Sequence, residues 1–450
     1  MKTFFSALLQ RWRSSYWFLP ALLAASATAF SFLTVHADSL INAKWARATG
    51  WIWAGGPEGA RQVLATIAGS TITVAGVVFS VTIVSLTLAS SQFGPRLLRT
   101  FLNDRGAQAV LGVFVATFLY CLLVLRTIRG TDTVNFVPFL SVTIGLLLAV
   151  TSVAFLIYFV HHISTSILAD NLTARVAAEL QKGIERLYPD QIGHEEESST
   201  KSEQDLPAGF EEQSQPMLSR ESGYIQAIAV EDLLELAQEN DLVLRLSRRP
   251  GEFVALGASL GSIWPQEKIN EEQLSRLRDA YYFGTERTPT QDVEYSIDQL
   301  VEVAVRALSP GINDPFTALT CLEWLGDSLI RLAGRKMPSP FICDEHGKLR
   351  VVTKSVTFAG LADAALNQIR QYGSKSVAVV LRQLNVLERI APHLRRVSDR
   401  EVLYGHARKI RDDGCARVQN GCDRTEIEER FAAVDQALGR SSPSLPEAGQ

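Results

Sequence analysis

The sequence lacks every short motif that would assign a chemical reaction. It has no phosphate-binding loop, no GxSxG, no HExxH and no Cys/His pair at a credible spacing, and its seven histidines are scattered along the chain. We therefore predict no catalytic residue, no metal site and no cofactor. The expectation from the sequence is that this protein is not an enzyme.

The chain also lacks an excess of basic residues. Its 44 lysines and arginines against 48 aspartates and glutamates give a net charge of −4 and a pI near 6.0, which argues against nucleic acid as a partner. The five cysteines are an odd number without a paired metal-ligand spacing. We interpret them as reduced thiols in a cytosolic setting, with a regulatory disulfide as the alternative.

Charge is absent altogether from Val63 to Gln92, a run longer than the roughly 20 residues that cross a bilayer. Hydroxyl groups recur through this run. On a helix, six of them follow a four-three spacing along one face, here called the hydroxyl stripe: Thr66, Ser70, Thr73, Ser80, Thr87 and Ser91. The stripe should face protein or water. It is either a packing seam whose hydroxyls bond to carbonyls one turn earlier, or the lining of a path for an ion or small solute.

Three further apolar runs, at 16–35, 107–125 and 134–160, accompany the uncharged one. They predict a domain of four transmembrane helices over residues 1–163. Both termini are expected in the cytoplasm, because the large polar C-terminal segment then needs no export. The first run is interpreted as an uncleaved anchor, and a cleaved signal peptide ending at Ala37 is the alternative.

The rest of the chain predicts a cytoplasmic α+β domain with a helical C-terminal part. Apolar residues at helical spacing predict a connector, and a stretch rich in Glu, Ser and Gln predicts disorder because it cannot bury enough apolar surface. The predicted segments are a helical connector at 164–189, a disordered acidic linker at 190–220, an α+β module with a helical hairpin at 221–356, C-terminal helices at 357–438 and a disordered tail at 439–450.

The densest polar cluster surrounds the ends of the predicted helical hairpin. Its members are Arg287, Gln291, Asp292, Asp298, Arg306, Asn313 and Asp314. Free N–H groups at helix ends and guanidinium groups can together hold a small anion. Alternatively, these groups cap the helices and pair with one another, or they form a salt network between subunits.

Several segments carry a resemblance to a known family. GYIQAI, RPGEFVALG and above all SPGINDPFTA resemble the uncharacterised bacterial predicted membrane proteins grouped as domain of unknown function 2254. The resemblance extends over nearly the whole chain. It implies a multi-pass protein of the bacterial inner membrane with a cytoplasmic C-terminal domain, and it implies no activity, substrate or catalytic residue.

Two functions are compatible with these features. The first is an oligomeric channel or transport-like protein in which the second span lines the path and the cytoplasmic domain regulates it. The second is a membrane-anchored sensor or scaffold whose cytoplasmic domain binds a small anionic ligand or a protein partner. The expected partners are the lipid bilayer, further copies of the chain, and an ion or small anionic ligand.

Overall fold

A computed structural model describes residues 17–40, 56–94, 104–131, 134–166, 169–188 and 202–439. The chain divides into two compact units, Met1–Leu172 and Thr173–Gln450, here called the membrane unit and the C-terminal unit. Each unit builds its own core, and each is described by itself.

The membrane unit contains the four predicted spans, each long and apolar enough to cross a bilayer. Its helices are α1 (Phe18–Leu40), α2 (Pro57–Phe93), α3 (Arg105–Leu125) and α4 (Phe139–Ser166). A short antiparallel hairpin, β1 (Arg129–Thr131) and β2 (Val134–Phe136), joins α3 to α4. With 37 residues, α2 is about 55 Å long, well beyond the roughly 30 Å of a hydrocarbon core.

Helix α3 packs against the other three spans, and polar contacts accompany this packing. The Tyr120 hydroxyl lies 3.0 Å from Thr34 Oγ1 on α1 and donates to the Ser141 carbonyl on α4 at 3.2 Å. Thr117 and Ser152 place their hydroxyl oxygens 3.0 Å apart. Because hydrocarbon offers no hydrogen-bond partner, such contacts favour one register between the helices.

Two carboxylates cap helices in the membrane unit. Asp38, near the end of α1, accepts hydrogen bonds at the start of α4 from two backbone N–H groups at 2.9 Å and from the Ser141 hydroxyl at 2.6 Å. Asp104 caps α3 through the Gly106 N–H at 2.9 Å and lies 2.7 Å from His162 Nε2 on α4. A Cβ at residue 106 would lie 2.7 Å from that nitrogen, so glycine leaves room for the pair.

The C-terminal unit combines helices with two sheets. The first part contains α5 (Ala169–Leu187, of which the residues from Thr173 belong to this unit), α6 (Phe210–Gln213), β3 (Gln215–Leu218), β4 (Gly223–Ile228), α7 (Val230–Glu239), β5 (Val243–Leu246), β6 (Phe253–Val254), β7 (Ser259–Trp264), α8 (Glu271–Asp279) and β8 (Tyr281–Gly284). The second part contains α9 (Val293–Ala307), α10 (Pro315–Ala333), β9 (Phe341–Cys343), β10 (Leu349–Val352), α11 (Phe358–Gly373), α12 (Val377–Ile390), α13 (Val397–Arg417) and α14 (Gly421–Ala437).

The predicted disordered linker at 190–220 is wrong over its second half. Residues 189–201 lie outside the described residues, but α6 and β3 follow within the predicted linker. Strand β3 pairs with β7, and Met217 is buried in the core that the two sheets share with α7 and α8. The local composition is polar, but the edge of a sheet supplies backbone partners that composition does not reveal.

The two sheets have the strand orders β3-β7-β5-β10-β9 and β6-β4-β8. All described pairings are antiparallel except that between β5 and β10, in which Val351 lies opposite Leu244. The residues that follow these two parallel strands therefore emerge at the same edge of the sheet. This edge forms one side of the cavity described below.

The predicted connector is a packed helix of the C-terminal unit. Residues 167–168 lie outside the described residues. Along α5, the side chains of Leu180 and Ile184 are fully buried. Arg186 donates to the carbonyls of Pro289 and Thr290 at 3.1 and 2.6 Å. The apolar spacing read from the sequence thus marks a face buried within this unit.

The C-terminal helices α11 and α13 meet along a partly polar seam. His406 on α13 is buried, its Nε2 lies 3.1 Å from Asp363 on α11, and its Nδ1 has no hydrogen-bond partner in the described structure. Burial lowers the pKa of His406 below its ordinary value near 6.5; Asp363 opposes this effect, and Lys409 and Arg370 add to it. The folded protein therefore favours the neutral imidazole.

This burial predicts a pH dependence of stability. Below about pH 6.5 the unfolded chain binds a proton at His406 before the folded chain does. The contribution of His406 to the free energy of unfolding is therefore complete above pH 6.5 and declines as the pH falls towards the lowered folded-state pKa. Urea unfolding of the full chain between pH 5 and 8 measures this, and His406→Gln should flatten the profile below pH 6.5. Identical slopes for both proteins would contradict the assignment.

Candidate functional site

All six residues of the hydroxyl stripe are exposed on α2 in the described structure. Val77 and Val84, which fill the gaps in the stripe, are 58% and 67% exposed. At Gly69 and Gly76, an added Cβ would meet nothing within 4 Å. Hydroxyls on the opposite face behave differently, since Thr71 is buried. The stripe is thus an open, uncharged face of the membrane unit as a single chain.

Every hydroxyl of the stripe donates to a carbonyl of its own helix, at distances between 2.7 and 3.0 Å. For example, Thr73 donates to Gly69, Ser80 to Gly76 and Thr87 to Ile83. The hydrogens are therefore used within the helix, while the oxygen lone pairs can still accept. These hydrogen bonds are expected both for a packing seam and for the lining of a path, so they do not distinguish the two interpretations.

Three residues of the predicted polar cluster form one ion-pair network at the start of α9. Arg287 donates through Nε to Asp292 at 2.8 Å and through Nη1 to Asp298 at 2.6 Å, and its guanidinium lies over the Tyr295 ring. Asp292 also caps α9 by accepting from the Tyr295 N–H at 3.1 Å. Burial disfavours the charged form of Arg287, but the hydrogen bonds and charges of both aspartates outweigh it and raise its pKa.

The other predicted residues bond to backbone groups, cap a helix or lie at the end of α9. Gln291 accepts a hydrogen bond from the Ile228 N–H on β4 at 2.9 Å and donates one to the Ile228 carbonyl at 3.2 Å. Asp314 caps α10 through two backbone N–H groups, and Asn313 before it has a φ of +50°. Arg306, in the last turn of α9, lies 4.0 Å from a glutamate one turn earlier.

Helix α9 separates these residues into two groups. Arg287, Gln291, Asp292 and Asp298 lie towards its start, whereas Arg306, Asn313 and Asp314 lie at its end. Fifteen residues of helix place the two ends about 22 Å apart. The predicted single anion site around both helix ends is therefore not formed, and the contacts described are helix caps and mutual ion pairs.

The structure instead forms a cavity of about 220 Å³ beside the start of α9. Its walls come from the end of α5, the segments after β5 and β10, and the first turn of α9. Its polar lining includes Arg248, Arg249, Lys354, Asp292 and Glu294. Asp292 belongs to the cluster predicted from the sequence, and so does Gln291, which also lines the cavity.

One local signal in the sequence marks this cavity, the adjacent pair Arg248 and Arg249 before a Pro-Gly turn. Nothing local indicated that Lys354, more than a hundred residues later, lies beside them. The parallel pairing of β5 and β10 brings these segments together. Such a long-range pairing leaves no local pattern.

No group of three or more His, Cys, Asp or Glu side chains that could hold a metal occurs among the described residues. All five cysteines lie in described segments and are free thiols, with Cys121 and Cys321 buried. The expectations of no cofactor and no catalysis stay predictions.

Comparison with known proteins places the chain in a family. A family model described as predicted membrane protein DUF2254 matches residues 13–389. Two similar relatives are the uncharacterised proteins Mb1321c of Mycobacterium bovis and Rv1290c of Mycobacterium tuberculosis. Each is 34% identical over 395 residues, which cover 86% of this chain and 73% of the relative. No solved structure matches. The chain therefore belongs to the DUF2254 family of predicted membrane proteins.

Proposed function

We propose that this chain forms a homo-oligomeric channel or transport-like protein of the bacterial inner membrane, with both termini in the cytoplasm. The hydroxyl stripe of α2 lines its path, and the C-terminal unit regulates it. The observation that supports this proposal is the exposure of all six stripe residues along one face. From Thr66 to Ser91 the stripe extends about 37 Å, which exceeds the roughly 30 Å of a hydrocarbon core.

The exposure of the stripe also supports an assembly of several copies. A face that is bare in one chain becomes covered when symmetry places the same face of other copies beside it. Gly69 and Gly76 permit close backbone approach at this face because no side chain projects from them. Copies arranged around an axis would then present their stripes to one another across a common path.

The chemistry of the stripe suits a small polar solute or a cation. Each hydroxyl hydrogen is already bonded to a carbonyl of α2, so the face presents oxygen acceptors and no charge. Oxygen acceptors at membrane depth can replace part of a hydration shell, whereas an apolar wall cannot. Val77 and Val84 interrupt the oxygens and give the wall apolar segments.

Flux through reconstituted vesicles tests this proposal. Thr73→Leu and Ser80→Leu remove oxygens from the middle of the stripe and add apolar bulk, so each should reduce cation or small-solute flux at least tenfold. Thr151→Leu is the matched control, because Thr151 on α4 makes the same kind of bond, to the Leu147 carbonyl at 2.9 Å, outside the stripe. This control variant should conduct like the parent chain.

Three results would contradict the proposed path along α2. Vesicles that contain the parent chain but show no flux for any tested ion or solute would refute the proposal. Equal flux in the Thr73 and Ser80 variants would show that α2 does not line the path. A structure of the assembly in a nanodisc with the stripe facing acyl chains would leave only an anchored C-terminal unit.

A further inference from the structure

We propose that the cavity beside the start of α9 is a binding site for a small organic anion with an apolar body. This inference concerns the C-terminal unit alone and does not depend on conduction through the membrane unit. The cavity volume of about 220 Å³ lies below the roughly 300–1,000 Å³ of sites for drug-sized ligands. Its occupant is therefore small.

The apolar part of the ligand follows from the lining. Six aliphatic side chains contribute to the walls: Leu187, Ile228, Val230, Leu246, Val293 and Val356. The Tyr188 ring and two prolines, Pro250 and Pro338, extend this apolar surface. Binding sites for organic molecules typically combine such a lining with a few polar groups that fix orientation. A fully hydrated inorganic ion would gain nothing from these walls.

The ionic side chains at the cavity are paired with one another. Arg248, Arg249 and Lys354 line it, and they surround the carboxylate of Glu252 at distances of 2.6 to 3.6 Å. Glu294 pairs with Arg249 at 2.6 Å. With Asp292, which also lines the cavity, three carboxylates balance these three cations. An anion is therefore held here by directed hydrogen-bond donors and not by an excess of positive charge.

Asp292 pairs with Arg287 at 2.8 Å, and Arg287 also pairs with Asp298 at 2.6 Å. One guanidinium is therefore shared by two carboxylates. The first turn of α9 lines the same wall and adds the positive end of the helix dipole.

Arg248 is the side chain best placed to hold the anion. Its Nε donates to the Ser259 carbonyl at 3.2 Å, whereas its Nη1 approaches Glu252 only to 3.6 Å, beyond hydrogen-bond distance. Among the described contacts, its terminal nitrogens therefore have donors to spare. A carboxylate accepts two such donors in a planar fork.

A ligand in this cavity would contact the end of α5. Leu187 and Tyr188, at the end of α5, form part of the wall, and Tyr188 is buried. A ligand packed against these residues would hold the last turn of α5 on the sheet edge. Ligand binding would therefore stabilise this region of the C-terminal unit against local opening.

The test uses the full chain in nanodiscs and three probes. The probe 3-phenylpropionate carries both the anion and the apolar body, acetate carries only the anion, and 3-phenylpropanol carries only the apolar body. We expect 3-phenylpropionate to raise the melting temperature of the C-terminal unit by a few degrees at saturation, and the other two to leave it unchanged. Equal effects of the alcohol, or no effect of 3-phenylpropionate, would overturn the proposal.

Two variants and a control locate the site. Arg248→Gln should weaken 3-phenylpropionate binding at least tenfold in calorimetry, because it removes the donor fork. Ser355→Trp should fill the mouth of the cavity and abolish binding, and it keeps the test valid if the Arg248 variant does not fold. Arg408→Gln alters an exposed arginine on α13 and should bind normally. Undiminished binding by Ser355→Trp would place the site elsewhere and refute the inference.

Discussion

Replacing Arg287 by methionine should destabilise the C-terminal unit by roughly 3–5 kcal/mol, the range seen when one partner of a buried ion pair is removed. Arg287 is 19% exposed and Asp292 only 4%, so solvent cannot replace the lost guanidinium. The variant removes the guanidinium that both Asp292 and Asp298 contact. We expect the melting temperature of this unit to fall by roughly 6–20 °C.

A surface ion pair provides the comparison. Arg331 pairs with Asp327 at 2.9 Å, but both side chains are about 40% exposed. Arg331→Met should therefore cost no more than about 1 kcal/mol. Arg287→Lys keeps the charge but not the two-pronged geometry, so its stability should lie between that of Arg287→Met and that of the parent chain. Equal melting temperatures for the Arg287→Met and Arg331→Met variants would show that the buried network contributes little.

The second large effect is expected at Gly251, in the turn after Arg248 and Arg249. This glycine has a φ of +92°, and a Cβ built on it would lie 2.1 Å from Asp292 Oδ2. Because Asp292 is fixed by Arg287 and by the cap of α9, it cannot move without losing those bonds. Gly251→Ala should therefore cost about 3 kcal/mol or more, of which the left-handed backbone accounts for roughly 1–2 kcal/mol.

Gly257 offers a matched control for the Gly251 prediction. It also has a positive φ, +78°, but a Cβ there would meet nothing within 4 Å. Gly257→Ala should therefore show only the backbone cost. Adding Asp292→Ala to Gly251→Ala should cost less than the sum of the two single changes, since the clash disappears. Urea unfolding of the parent chain, the two single variants and the double variant measures this. Additive losses in the free energy of unfolding would contradict the proposed contact.

Much of the fold could be predicted because its signals are local. Long uncharged runs gave four spans, and the structure has four helices at those places. Asp followed by Pro is a strong helix-start signal, and α10 begins at Asp314-Pro315 with the Asp314 cap. A glycine in a short polar segment is typical of a turn between two strands, and Gly347 lies between the paired strands β9 and β10. In each case the residues that determine the structure are neighbours in sequence.

The predicted linker and the predicted grouping of the polar cluster differ from the structure for a common reason. Residues 215–218 pair with strand β7, about 45 residues away, which a compositional argument cannot include. The polar cluster was grouped by sequence proximity, but α9 holds Arg287 and Asp314 near its opposite ends. Distance along a helix grows by about 1.5 Å per residue, so sequence neighbours separated by a helix are not spatial neighbours.

The sequence by itself determined the four membrane helices, the order of the two units and the spacing of the hydroxyl stripe, because hydrophobicity and helical periodicity act within one segment. Only the tertiary structure decided that the stripe is exposed, that α5 packs within the C-terminal unit, and that a cavity forms where β5 and β10 run parallel. These features depend on contacts between distant segments. Such contacts are selected by the packing of the whole chain and not by any one of its parts.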